Sequence, residues 1–302
     1  MRVAVTGADG FVGRHLRRFF EDAGDIVVPL HGSIGPNGST IIDVRDPPAV
    51  HAAIEAARPD AIVHLAAISH VMQSHAEPSA TFQINTMGAL NVCLAAKALP
   101  YQPRILLVSS AEVYGIAATD VSTEETPFAP MSPYAASKIA AEMIGAQFAR
   151  SYGMHIVRAR PFNHLGAGQA PVFAIASLAQ QVKAARKSNA RSTLRVGNLD
   201  PIRDFSHVRD VVAAYRLLLE RGVSGEVYNV CSGVGRSIRS VLDELVTLAS
   251  VSVDVEVDPS KVRAADIPRL VGSAAKLRAL GWEPQLTVKD ALRDLLEDTA
   301  AP

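Results

Sequence analysis

Tyr134 and Lys138 stand four residues apart in the segment YAASK, so on a helix they share a face. An ammonium beside a phenol favours the phenolate, lowers the tyrosine pKa and lets the hydroxyl pass a proton to or from a sugar or alcohol oxygen near neutral pH. Ser110 lies 24 residues upstream, at the end of the apolar run Arg104 to Ser109, where it can hydrogen-bond the same oxygen. Taken alone, a Tyr-x-x-x-Lys pair is a common solvated helix face. The upstream serine and a glycine-rich segment at the chain start set this pair apart.

That segment is TGADGFVG, Thr6 to Gly13. It follows one apolar run, opens a helical pattern, and places Gly7, Gly10 and Gly13 at G-x-x-G-x-x-G spacing. Gly7 permits a tight turn, Gly10 lets backbone N–H groups approach a pyrophosphate, and Gly13 lets the helix pack closely on its strand. A tight turn with no ligand is the alternative. The second strand, VVPLHGS, lacks the carboxylate that usually receives the ribose hydroxyls of NAD. His31 and Ser33 tolerate a 2′-phosphate there, and Arg14 beside the turn can pair with one, so the reading favours NADP(H) and leaves NAD(H) possible. Asp43, in IIDVRD, is placed to reach an adenine amino group or to act as a capping or surface acid.

The elements that must position these groups follow a βαβ rhythm. Val- and Ile-rich runs at Arg2–Thr6, Asp25–Leu30, Ala61–Leu65, Arg104–Ser109 and His155–Ala159 alternate with helical patterns at Gly10–Ala23, Pro47–Ala57, Glu77–Lys97 and Tyr134–Tyr152. This is an α/β pattern, a doubly wound parallel sheet of the Rossmann type. After about Pro161 the rhythm loosens, and a stretch rich in Lys and Arg from Lys183 to Arg195 reads as loops leaving the sheet. A strand at Glu226–Cys231, a helix at Ser237–Leu248, a strand at Val251–Val257 and a helix at Val288–Asp298 are expected further on. The expected organisation is a dinucleotide-binding core over residues 1–160, rejoined by segments at about 200–232, with a smaller C-terminal substrate-binding lobe over 161–302.

Composition bounds the partners. The 302 residues carry 30 Lys plus Arg against 30 Asp plus Glu, so there is no global field to draw a polyanion and no nucleic-acid partner is expected. No run reaches 18 uncharged apolar residues and the first residues lack a signal-peptide pattern, so a cytoplasmic protein without a membrane span is expected. Cys93 and Cys231 have no metal-ligand spacing, and His64, His70, His164 and His207 have none either, so no metal is expected.

These segments together resemble the extended short-chain dehydrogenases/reductases that modify nucleotide sugars. TGADGFVG, HLAAISHV (His64 to Val71), SSAEVYG (Ser109 to Gly115), SPYAASK (Ser132 to Lys138) and IRDFSHVRD (Ile202 to Asp210) match that family in order. The resemblance implies a catalytic triad of Ser110, Tyr134 and Lys138, with Tyr134 and Lys138 also at the cofactor. It implies cofactor contacts from Gly7, Asp9, Gly10, Phe11, Val12, Gly13, Asp43, Val44, Leu65, Ala66 and Ala67. It also implies a homodimer through a four-helix seam made by Glu77–Lys97 and Tyr134–Tyr152.

Within that family, RPFNHLGAGQ (Arg160 to Gln169) and RAADIPRLVGSAAKLRALGWEP (Arg263 to Pro284) are similar to the GDP-4-keto-6-deoxy-mannose reductases. The second segment departs at Ala264, where the branch usually has Pro, and its spacer before Gly281 is one residue short. The resemblance implies substrate contacts from Ser110, Ala111, Glu112, Asn163, Arg203 and Arg263; arginine suits a diphosphate because it offers planar, multiple donors. Lys183 either covers the nucleotide or is a solvated charge. The implied reaction is NAD(P)H-dependent reduction of the 4-keto group of a GDP-linked 6-deoxy-hexose, giving GDP-rhamnose with Tyr134 as proton donor. A 4-epimerase or a GDP-mannose 4,6-dehydratase with retained NAD(P) is the alternative, because Glu112 occupies the position of the dehydratases' catalytic carboxylate. A noncatalytic NADP-binding regulator is a more distant one.

Overall fold

The computed structural model describes residues 1–32, 42–188, 192–262 and 266–298. Five apolar segments form consecutive parallel strands: β1 (Arg2–Thr6), β2 (Ile26–Leu30), β3 (Ala61–His64), β4 (Arg104–Val108) and β5 (Ile156–Pro161). A later strand, β9 (Val227–Val230), completes a six-stranded sheet in the order β2-β1-β3-β4-β5-β9, every pair parallel. β3, β5 and β9 are buried along their whole length, the consequence of helices covering both faces. Helices α1 (Phe11–Asp22) and α8 (Val208–Arg221) pack together on one face, around Leu16, Phe20, Val211 and Leu218. α2 (Pro47–Ala57), α5 (Gly88–Ala98) and α6 (Pro133–Tyr152) cover the other, around Ile54, Val92 and Phe148. This is the α/β Rossmann-type sheet expected.

Local chemistry sets the helix ends. Ser132 caps α6 by accepting from the Ala135 N–H at 3.1 Å, Pro133 opens its first turn, and Gly153 closes it at φ +66°. Both predicted active-site residues of α6 therefore lie in its first two turns.

The helix expected over Glu77–Lys97 runs unbroken from Pro78 to Ala98, as α4 (Pro78–Phe82), a π turn (Gln83–Met87) and α5. The π turn places Asn85 in the interior, where its amide receives the Ile68 N–H (2.8 Å) and donates to the Ile68 carbonyl (3.0 Å) and Ser137 Oγ (2.9 Å). The basic stretch from Lys183 is not a loop at its start. It is the end of α7 (Ala174–Ser188), whose Ile175, Leu178, Ala179 and Val182 are buried, and its charges at Arg186 and Lys187 favour the carbonyl end of a helix.

α7, α9 (Ile238–Ala249) and α11 (Val288–Glu297) build a second apolar core with Leu194, Val196 and Phe205. There β8 (Ile202–His207) pairs with β6 (Asn163–Leu165), β10 (Gly235–Ser237) and β12 (Arg269–Leu270), and β7 (Ser192–Val196) pairs with β11 (Val253–Val257). Among the described residues no helix is long and apolar enough to cross a membrane, and no group of three or more His, Cys, Asp or Glu is disposed to hold a metal ion.

Candidate active site

The glycine turn is built as a cradle. Gly7 has φ +70°, and a Cβ there would lie 2.8 Å from the Ala66 N atom; a Cβ on Gly13 would lie 2.4 Å from the Gly7 carbonyl oxygen. Both contacts are with backbone, so neither position admits a side chain. No side chain caps α1, whose N-cap is Gly10, and its first turn has no acid. Its first N–H groups are thus available to an anion, as a dinucleotide pyrophosphate requires. Ala66 closes the other side, its N–H reaching Thr6 Oγ1 at 3.3 Å, with Leu65 and Ala67 beside it, each half-buried. The residues present fit a dinucleotide.

The remaining predicted cofactor residues fall into two groups. Val12 packs against the core, and Phe11 stacks on His164 at 6.0 Å, joining α1 to the segment after β5. Val44 is buried, with its carbonyl receiving Asn91 Nδ2 at 2.8 Å. Asp43 is half-exposed and held by Arg45 at 2.6 Å, which lowers its carboxyl pKa. The capping role belongs to its neighbour Asp46, which accepts from the Ala49 N–H. Arg14, expected to meet a 2′-phosphate, gives its guanidinium to the carbonyls of Asp9 (2.6 Å) and Gly168 (2.9 Å). Ser33 lies outside the described residues.

The three predicted catalytic residues come together at the end of β4. Ser110 follows β4, caps a 3₁₀ turn over Ala111–Tyr114 and hydrogen-bonds the Tyr134 side chain. Lys138 is 4% exposed, and its Nζ donates to the Val108 carbonyl at 2.8 Å. Burial pulls its ammonium down to about 8, with Glu142 acting against the shift. The same burial, and Lys138 to a smaller extent, drives His64 down to about 3, so that imidazole is neutral. Tyr134 departs from expectation: burial pushes its phenol up to about 12, the Ser110 hydrogen bond opposes this, and the Glu112 carboxylate adds to it. The geometry therefore holds Tyr134 as an acid at neutral pH, because desolvation outweighs the hydroxyl partner. Ala111 is buried in the core around the sheet.

The substrate-side expectations divide. Asn163 is exposed. Arg203 is 7% exposed, with Nη2 on Asp266 at 2.8 Å and Nη1 on its own strand at the Ile202 carbonyl. Arg263 lies outside the described residues. Lys183 is half-buried and its Nζ donates to the Asp298 carbonyl at 2.7 Å. His207 caps α8 by accepting from the Arg209 N–H, and its Nε2 faces Asp294.

Sequence reasoning does not single out several residues that hold the architecture together. The buried Glu142, one helical turn beyond Lys138, receives Arg160 in a fork at 2.9 and 2.8 Å. Arg160 also donates to the Tyr114 hydroxyl, which donates to Asn229. This network fixes α6 against the strand that leads into Asn163. Asp204 of the IRDF segment is fully buried and accepts from Ser232 N, Ser232 Oγ and Gly233 N; burial raises its pKa against those bonds. Asp210 likewise receives the N–H groups of Gln285 and Leu286. The helical i+4 spacing of Glu142 from Lys138 is visible in sequence, but its partner comes from another strand.

Residues 38–295 match the family model described as GDP-mannose 4,6 dehydratase. The chain belongs to that family. It is 38% identical to the GDP-6-deoxy-D-mannose reductase of Pseudomonas aeruginosa, across 98% of this chain and 96% of that one. The structure of RMD from Pseudomonas aeruginosa complexed with NADPH superposes with a TM-score of 0.88 at 36% identity, covering 99% of both chains. The Thermus thermophilus UDP-glucose 4-epimerase complexed with NAD follows at 0.87 and 30%, covering 98% of both. The chain is an extended short-chain dehydrogenase/reductase of the kind that binds NAD(P)(H).

Proposed function

We propose that this protein reduces the 4-keto group of GDP-4-keto-6-deoxy-D-mannose to give GDP-D-rhamnose, using NAD(P)H. The observation that carries the reading is the placing of buried Ser110, Tyr134 and Lys138 together at the end of β4, with Lys138 Nζ fixed on the Val108 carbonyl. A reduction needs an acid at the carbonyl oxygen, and the likeness to the Pseudomonas reductase over nearly the whole chain supports the GDP-sugar as substrate. The bound coenzyme supplies hydride to C4. Tyr134 gives its proton to the C4 oxygen as negative charge develops there, while Ser110 hydrogen-bonds the same oxygen. Lys138, its Nζ fixed on the Val108 carbonyl, would steady the phenolate left behind and hold the nicotinamide ribose. Water then restores the phenol proton.

The core over 1–160, with 200–232, holds the coenzyme in this proposal, through Gly7, Asp9, Gly10, Phe11, Val12, Gly13, Asp43, Val44, Leu65, Ala66, Ala67, Tyr134 and Lys138. The lobe over 161–302 holds the sugar nucleotide through Asn163, Arg203 and Arg263, with Ser110, Ala111 and Glu112 at the sugar. The protein works in the cytoplasm as a homodimer; Phe82, Met87, Leu94 and Met143 are exposed along the α4, π-turn, α5 and α6 surface that such a seam would cover. One observation favours a second reading. The Glu112 carboxylate lies near enough to raise the Tyr134 phenol, which supports a dehydratase with retained coenzyme as the alternative. Coenzyme absorbance separates the two: the reductase oxidises one NAD(P)H per keto sugar and ignores GDP-mannose, whereas conversion of either sugar without net oxidation would reject it.

A further inference from the structure

In dinucleotide sites of this architecture the adenosine ribose is usually met by an acid at the end of the second strand. Here β2 ends at Leu30 and the next residue is His31, 2% exposed. Its Nδ1 lies 2.7 Å from both carboxylate oxygens of Asp9, in the middle of the glycine turn. A carboxylate only accepts, so Nδ1 carries the hydrogen. The buried imidazole thereby holds the Asp9 carboxylate, whose side chain is 38% exposed, at the β2 end of the turn.

Ile26 to Gly32, which are β2 and the two residues after it, contain no Lys or Arg. Arg14 is tied to the carbonyls of Asp9 and Gly168, and Arg45 is taken by Asp43. The strand-end acid has thus been moved into the turn and is held there by a histidine.

We infer that Asp9, oriented by His31, is the residue that discriminates between NADH and NADPH. Its carboxylate accepts from the hydroxyls of the adenosine ribose and repels a phosphate on the 2′-oxygen. The inference rests on the dinucleotide reading of the glycine turn and is independent of the sugar substrate. Asp9→Asn removes the repulsion and keeps the hydrogen-bond reach. At the few-ångström separation and water-like screening of a half-exposed site, that change amounts to about a tenfold shift of the NADPH-to-NADH affinity ratio towards NADPH.

The test is direct titration of each reduced coenzyme into the purified full chain, followed by nicotinamide fluorescence with no sugar present. The expected result is that Asp9→Asn strengthens NADPH relative to NADH by about tenfold. Asp9→Ser, which removes both charge and reach, should move the ratio the same way, so the result does not depend on how asparagine packs on His31. A ratio unchanged within about twofold in both variants, with binding intact, would overturn the inference alone. Failure of the wild type to bind either coenzyme would overturn the dinucleotide reading with it.

Discussion

Lys138 links the acid–base chemistry to a pH signature that separates stability from activity. Burial lowers its ammonium from 10.5 to about 8. Between those values the unfolded chain binds a proton that the folded chain has released, so this residue makes stability rise with pH across the window. The shift corresponds to about 3 kcal/mol, of which about 2–3 kcal/mol is recovered between pH 7 and pH 10. Activity must move the other way, because the neutral amine no longer steadies the Tyr134 phenolate; kcat should fall above about pH 8. The Tyr134 phenol, pushed up to about 12, contributes nothing to that limb. The assay is chemical denaturation of wild type and Lys138→Met at pH 7 and pH 10, beside a pH–rate profile of the wild type. The wild type should gain about 2–3 kcal/mol on the variant as pH rises. A constant stability difference, or a rate limb near pH 10 in place of 8, would refute the reasoning.

Three further outcomes follow from the same contacts. Glu142→Ala leaves the buried Arg160 guanidinium without its forked partner and should cost about 3–5 kcal/mol in urea denaturation. Gly13→Ala drives a Cβ to 2.4 Å from a backbone oxygen; thermal unfolding should show a loss of about 1–3 kcal/mol and coenzyme titration a weakened site. Met143→Glu places a charge on the exposed apolar face of α6, and light scattering should report a shift from dimer to monomer.

The sheet was legible because parallel strands buried on both faces read as unbroken apolar runs, and β1 and α2 occupy the residues expected of them. That Tyr134 and Lys138 share one face of α6 was legible because four-residue spacing survives on any helix. The π turn was not, because Asn85 is drawn inward by partners at Ile68 and Ser137 that lie far from it in sequence. Arg203 shows the same limit: an arginine in a phosphate-binding pattern turns out to be paired with Asp266, 63 residues away. The Tyr134 phenol moved opposite to the sequence expectation because spacing to Lys138 says nothing about desolvation, which is the larger effect here. Asp204 and Asp210, within a segment that reads as a functional signature, are buried anchors for the loops at Ser232 and Gln285.

The central claim is that Tyr134 donates the proton. Single-turnover oxidation of whichever of NADH and NADPH the wild type binds more tightly, by GDP-4-keto-6-deoxy-mannose, compared between wild type and Tyr134→Phe, tests it most directly. The account predicts a rate about 10²–10⁴-fold lower in the variant with coenzyme affinity retained. A Tyr134→Phe rate within about tenfold of wild type would contradict it.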